Sequence, residues 1–181
     1  MDSSPLGILL TGEGSLPFAL IHGESLVSCA AFAVEAADVQ LVDPATSWES
    51  VVDIGEPFVV HDALCPMTPP AFIAACVEQA EDEGRIVVAV RPVTDTVKTV
   101  ADGIVGGTLD RDGLLAIASP VVVPASLLGV LDDVPSGDLV ALAARLAATQ
   151  DVVTVEAPPE GRRVTTLDDV RLLEALTVPP G

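Results

Sequence analysis

The chain has 181 residues, half of them hydrophobic, with 27 Asp+Glu against 8 Lys+Arg and a formal net charge of −19. That length suits one domain with a real core, so residues 1–181 are expected to form a single domain. The first basic residue is Arg85 and the only lysine is Lys98, which excludes the basic track a nucleic acid needs for counterion release and disfavours an anionic membrane surface.

Continuous Val/Ile/Leu runs bounded by Gly, Pro and acids read as strands buried on both faces, the pattern of a parallel sheet covered by helices. "LGILL" comes first, followed by a helix in "ESLVSCAAFAVEAA" after Gly23, then strands in "DVQLVD" and "PFVVHD". "TPPAFIAACVEQAEDEG" reads as a helix with Thr68 as its N-cap, proline in the first turn and Gly84 as its stop. The strand "RIVVAV" follows, and then the alternation breaks. "VTDTVKTVADGIVGGTLDRDGLLAIAS" interleaves β-formers with the turn pairs Asp102-Gly103 and Asp112-Gly113. It reads as a β-hairpin arm at about 94–118. A helix in "GDLVALAARLAATQ", a strand in "DVVTVEA" and a helix in "TTLDDVRLLEAL" complete the chain, the helices with apolar residues at i, i+3 and i+4. The order predicts an α/β fold: Rossmann-like, with a mostly parallel central sheet flanked by helices. A hairpin that leaves the body needs a partner surface. The arm is therefore either a dimer-forming element or a meander lying on its own domain.

Asp62 ends a strand and is followed by a loop with Pro66, Pro69 and Pro70. Ligands of open α/β sheets sit outside the carboxyl ends of the strands, although an aspartate there also caps turns. Arg111, Arg162 and Arg163 are three of only seven arginines, and guanidinium forks suit phosphate; Arg162 and Arg163 also read as a solvated loop pair. Thr94, Asp95, Thr96 and Lys98 lie on the first strand of the arm, where cross-strand pairing is the simpler use. His61 points away from Asp62 on a strand and reads as a core or turn residue, and His22 reads as a turn residue. Ser15, Ser25 and Ser28 have no base at motif spacing, which argues against a hydrolase. Trp48 is the only tryptophan and tyrosine is absent, so no base-stacking platform is expected. Cys29, Cys65 and Cys76 make no CxxC and no Cys/His metal spacing, which reads as three free thiols in a reducing cytosol and no metal site. No apolar run approaches the roughly 18 to 20 residues of a membrane span. The start "MDSSPLGILL" has no basic region of a signal peptide. A soluble cytoplasmic protein is expected, its acidity serving solubility.

The segments "VVHDALCP", "RPVTDTVKTV", "TLDRDGLLAIASP" and "EGRRVTTLDDVRLLEAL" run in an order that resembles the 2-C-methyl-D-erythritol 4-phosphate cytidylyltransferase family of the non-mevalonate isoprenoid route. The resemblance implies transfer of a cytidylyl group from CTP to a polyol phosphate with release of pyrophosphate, Mg²⁺ as cofactor, and a homodimer locked by the β-arm. It implies that Asp62 binds polyol hydroxyls, and that Arg111 reaches the polyol phosphate from the arm. Ser119 stands at a phosphate-binding threonine of the family, and Arg163 at a catalytic lysine. Thr94, Asp95 and Lys98 lie in the matching arm segment.

The same comparison marks departures. In "ILLTGEGSLPFALIHGESLV" the glycines of the family's nucleotide loop remain as Gly12 and Gly14, with Pro17. The loop arginine is absent, Phe18 replaces the following lysine, and Glu13 adds negative charge. The family's cytosine-reading loop is reduced to "TSWESVVDIG", with Ser50-Val51 remaining, and Cys65 stands where an arginine follows the family's His-Asp-Ala. A positioned cation is worth roughly 10³ to 10⁵ in phosphoryl-transfer rate, or about 4 to 7 kcal/mol. The expectation is a diverged homologue with a degenerate CTP site, acting as a binding or regulatory dimer that recognises a small phosphorylated polyol or associates with an active homologue. The alternatives are an active cytidylyltransferase using Mg²⁺, and an acidic scaffold for a basic protein partner.

Overall fold

The structure, a computed structural model, describes residues 4–93, 98–101, 104–108 and 114–179. In chain order its elements are β1 (Leu6–Leu10), β2 (Leu20–Ile21), β3 (Glu24–Ser25), α1 (Leu26–Ala36), β4 (Gln40–Leu41), α2 (Trp48–Ile54), β5 (Phe58–Asp62) and α3 (Pro70–Glu83). There follow β6 (Ile86–Pro92), β7 (Lys98–Ala101), β8 (Ile104–Thr108), β9 (Leu115–Val123), α4 (Leu139–Thr149), β10 (Val152–Glu156) and α5 (Leu167–Leu176). Six strands form one sheet in the order β10-β6-β9-β5-β1-β4. All run parallel except β9, which is antiparallel to both of its neighbours.

The apolar runs work as the sequence predicts, because alternate residues serve opposite faces. Phe58, Val60, Ile86, Val88, Val121 and Val123 pack on one side against Leu139, Leu142 and Leu146 of α4 and Trp48 and Val51 of α2. Val59, Val87 and Val122 pack on the other side against Ala33 and Val34 of α1 and Ile73, Cys76 and Ala80 of α3. A satellite core joins Ile21, Leu26, Cys29, Val164, Val170 and Leu173 under α5. Gly7 in β1 permits this close packing: a Cβ there would lie 2.9 Å from both Val39 Cγ1 and the Val59 carbonyl oxygen.

Four local expectations are corrected. The arm does not extend to residue 118, because Leu115–Val123 is a central strand. Pro120 lies inside this strand, where the ladder with β6 shifts register between Val88 and Val90 and the pairing with β5 stops at Val121. The missing N–H therefore falls where no ladder bond is required. Thr68 is not the N-cap of α3: the cap is Pro69 with no side-chain bond, and Thr68 Oγ1 donates to the Cys65 carbonyl at 3.0 Å. "TSWESVVDIG" is no loop but carries α2, capped by Ser47 and ended by Gly55 in the left-handed region. "DVQLVD" forms only the two-residue β4.

β7 and β8 pair as an antiparallel hairpin outside the main sheet. The pairs Asp102-Gly103 and Asp112-Gly113 lie outside the described residues. His22 and Gly23 form a two-residue turn between β2 and β3, both at positive φ (52° and 85°), the geometry of a tight hairpin turn. Gly84 ends α3 at φ 60°, as expected. Among the described residues no helix is long and apolar enough to cross a membrane.

Candidate functional site

Leu10 and Asp62 are register partners and the last residues of β1 and β5. The chain therefore leaves two adjacent parallel strands at one edge, where a cleft of ≈ 720 Å³ opens, the place an open α/β sheet offers a ligand. Thr11, Gly12 and Glu13 line it from the loop after β1, Asp62 and Leu64 from the end of β5 and the turn after it, and Pro135–Leu139 from the segment entering α4. Arg163 lies on the segment leading into α5.

The turn after β5 is tightly tied. Asp62 Oδ1 accepts from the Leu64 N–H at 2.8 Å, a local turn that aspartate side chains favour. The Ala63 N–H donates to the Leu10 carbonyl and the Cys65 N–H to the Asp62 carbonyl, both at 2.9 Å. The backbone N–H of Asp62 donates to Ser119 Oγ at 2.8 Å. The remaining carboxylate oxygen, Oδ2, accepts from Arg163 Nε at 2.7 Å. Arg163 Nη2 also lies 3.8 Å from Asp138 Oδ2, while Asp138 Oδ1 caps α4 by accepting from the Ala141 N–H at 2.9 Å. The Asp62 side chain is 6% exposed and that of Arg163 27%. Burial works against the guanidinium charge, but the Asp62 hydrogen bond and charge outweigh it, so the Arg163 pKa lies above the ordinary arginine value.

Behind this wall the groups are buried. His61 Nε2 lies 3.1 Å from the Cys65 carbonyl, and Nδ1 has no hydrogen-bond partner among the described residues. Burial lowers the His61 pKa to about 4, so the ring is neutral and Nε2 is the donor. Burial raises the Cys65 thiol to about 12, with the Asp62 charge in the same direction. The residue standing at the family's arginine is thus an inert buried thiol. His61 is a core histidine and His22 a turn residue, as the sequence indicates.

The structure gathers Asp62, Arg163 and Gly12 in one cleft. Gly14, at φ 102°, follows the lining residues on the outer part of the loop. Ser50 sits away from the cleft in the first turn of α2, its hydroxyl 2.7 Å from Ser47 Oγ. Ser119 is fully buried and supports the Asp62 backbone rather than facing the cleft. Thr94, Asp95 and Arg111 lie outside the described residues, and Lys98 is placed by its backbone, at the start of β7. Sequence reasoning missed Asp138; its one signal was an aspartate immediately before an apolar-periodic segment, which reads as a cap and here also faces the cleft.

Mg²⁺ in a nucleotidyl-transfer site is held by one or two free carboxylates together with substrate phosphates. Asp62 has both oxygens engaged, and Asp138 caps a helix with one and faces Arg163 with the other. Among the described residues no group of three or more His, Cys, Asp or Glu is arranged to hold a metal. Glu13, on the loop after β1, is the further carboxylate lining the cleft, and it is the residue that would meet the cation beside substrate phosphates.

The family model for 2-C-methyl-D-erythritol 4-phosphate cytidylyltransferase, IspD, matches residues 47–177. The chain belongs to this family. An IspD enzyme of Nocardia farcinica is 43% identical over 122 residues, covering 66% of this chain and 52% of that protein. One from Rhodococcus jostii is 36% identical over 132 residues, covering 70% and 57%. The chain thus spans about half the length of the curated relatives it matches. Solved structures share the fold: the Thermus thermophilus enzyme at TM-score 0.63 and 20% identity, covering 93% of this chain and 96% of that one, and the Anaerococcus prevotii synthase at 0.63 and 16%, covering 96% of each. The IspD match includes Asp62 and Arg163; the Thr11–Gly14 loop lies outside it.

Proposed function

We propose that this chain is a diverged IspD homologue in which the cleft has lost CTP turnover, and that it acts as a binding or regulatory protein, dimeric through its β-arm. The observation that carries this is the charge of the cleft lining: Glu13, Asp62 and Asp138 against Arg163 alone, and that guanidinium is already paired. A carboxylate about 5 Å from a phosphate opposes it by ~3 kcal/mol at an effective dielectric of about 20. A triphosphate entering this cleft meets a net opposing charge from the described lining residues, whose single cation already faces two carboxylates. Asp62 keeps lone pairs for a polyol hydroxyl, since a carboxylate accepts about four bonds and the structure assigns it two side-chain bonds. From the resemblance we take Arg111, with Thr94, Asp95 and Lys98, as the arm residues that would meet the phosphate of a small phosphorylated polyol.

Titration calorimetry with CTP and Mg²⁺, beside a pyrophosphate-release assay with methylerythritol phosphate, tests this reading. Absence of CTP heat and of turnover is expected. Pyrophosphate release at an ordinary enzymatic rate overturns it and leaves the second reading, an active cytidylyltransferase, which family membership itself favours.

A further inference from the structure

Arg163 is the only cation lining the cleft among the described residues, and its strongest partner is the side chain that ends the neighbouring strand β5. Asp62 holds it at 2.7 Å through Nε, on a carboxylate that is nearly buried, and Asp138 stands 3.8 Å from Nη2. An incoming phosphate must share Arg163 with these carboxylates, through the Nη groups that Asp62 does not bind, and then lie beside their charges. A neutral hydroxyl needs only an unused lone pair. We propose that Asp62 decides which part of a ligand meets the end of β5: by engaging Arg163 it keeps phosphate away from that corner of the cleft and leaves it to an uncharged hydroxyl. The inference rests on the reading of this cleft as the ligand site. It reverses the usual consequence of removing a site carboxylate, because neutralising Asp62 should improve anion binding.

Asp62→Asn is nearly isosteric and keeps an oxygen to accept from the Leu64 N–H. Inorganic pyrophosphate is the probe, in calorimetry at low ionic strength without divalent cation. Asp62→Asn is expected to bind it at least about tenfold more tightly than the unaltered chain, because a freed guanidinium forms charge-assisted bonds to phosphate. The gain is expected to vanish in Asp62→Asn/Arg163→Gln, which shows that it runs through Arg163 and not through cations of the arm. Asp138→Asn, where asparagine remains a good N-cap, should give a smaller gain in the same direction and decides the matter if the Asp62 variant does not fold. Equal affinity in the unaltered chain and the carboxamide variants overturns the proposal, as does a gain that survives the loss of Arg163. Turnover of CTP by the unaltered protein would instead defeat the reading of the preceding section, and the pyrophosphate comparison would still decide this one.

Discussion

The Val164 N–H donates to the Leu64 carbonyl at 2.8 Å. This bond ties the segment carrying Arg163 to the turn carrying Asp62, one residue past the arginine and two past the aspartate, so the ion pair is held by backbone as well as by charge. Removing one member of a buried pair costs more than removing both, since a lone buried charge remains. Arg163→Met is expected to lower stability by ~2 kcal/mol, the guanidinium being partly exposed, and Asp62→Asn in addition should recover at least half of the loss. Urea denaturation followed by Trp48 fluorescence measures both, because Trp48 packs edge-on against Phe58 with ring centroids 5.0 Å apart. Additive losses in the double variant would show that the two groups do not interact.

His61 gives the protein an acid sensitivity. Its pKa is 6.5 when unperturbed and about 4 when folded, because burial opposes its charge. Between these values the unfolded chain binds the extra proton, so stability falls as pH drops from about 6.5 to about 4 and this group adds nothing further below. The full linkage is ~3 kcal/mol. His61→Gln removes the titration, and the pH dependence of its unfolding free energy should flatten in that window. An unchanged slope would assign the acid sensitivity to other groups.

Gly7→Ala should destabilise by ~2 kcal/mol or more, in the range of overpacked cores. The new methyl would sit 2.9 Å from the backbone oxygen of Val59, which cannot move without breaking the sheet. Thermal denaturation reads this directly, and a melting temperature within a degree of the parent would show that β1 and β5 have slack.

At the start of α5, Thr166 Oγ1 accepts from the Asp169 N–H at 3.1 Å, and Asp169 Oδ2 accepts from the Thr166 N–H at 2.9 Å. The backbone bond from Thr165, with further bonds from Thr165 and Thr166, holds the Asp169 pKa below its usual value. This stabilisation is present above the unfolded pKa of 3.8 and is lost as pH falls through the lower folded value. Thr166→Ala should cost ~1 kcal/mol, with early fraying of α5 visible in amide exchange. Equal protection of α5 in parent and variant would deny the cap its role.

The strands buried on both faces, and so the layered fold, were legible because Val59 and Val60, or Val87 and Val88, must each find a core on opposite sides. Asp62 was legible because it ends such a strand. β9 was not, since Pro120 contradicts a central strand in any local reading, and only the register shift in its partner ladder makes it permissible. The burial of Ser119 was hidden for the same reason, as its surroundings come from β5 across a non-local pairing. Asp138 was missed: it caps α4, and that it also faces Arg163 depends on α4 meeting the α5 approach segment, a contact no local pattern encodes.

The chain departs from β6 at Pro92, opposite Leu115 of β9, and the Val93 N–H is bonded to the Leu114 carbonyl at 3.0 Å. Exit and re-entry points are therefore next-door rungs in the middle of the sheet. Replacing segment 94–113 by a tight turn is therefore expected to leave the order of the six-stranded sheet unchanged, and a foreign peptide grafted between the same two rungs is expected to leave that order unchanged too.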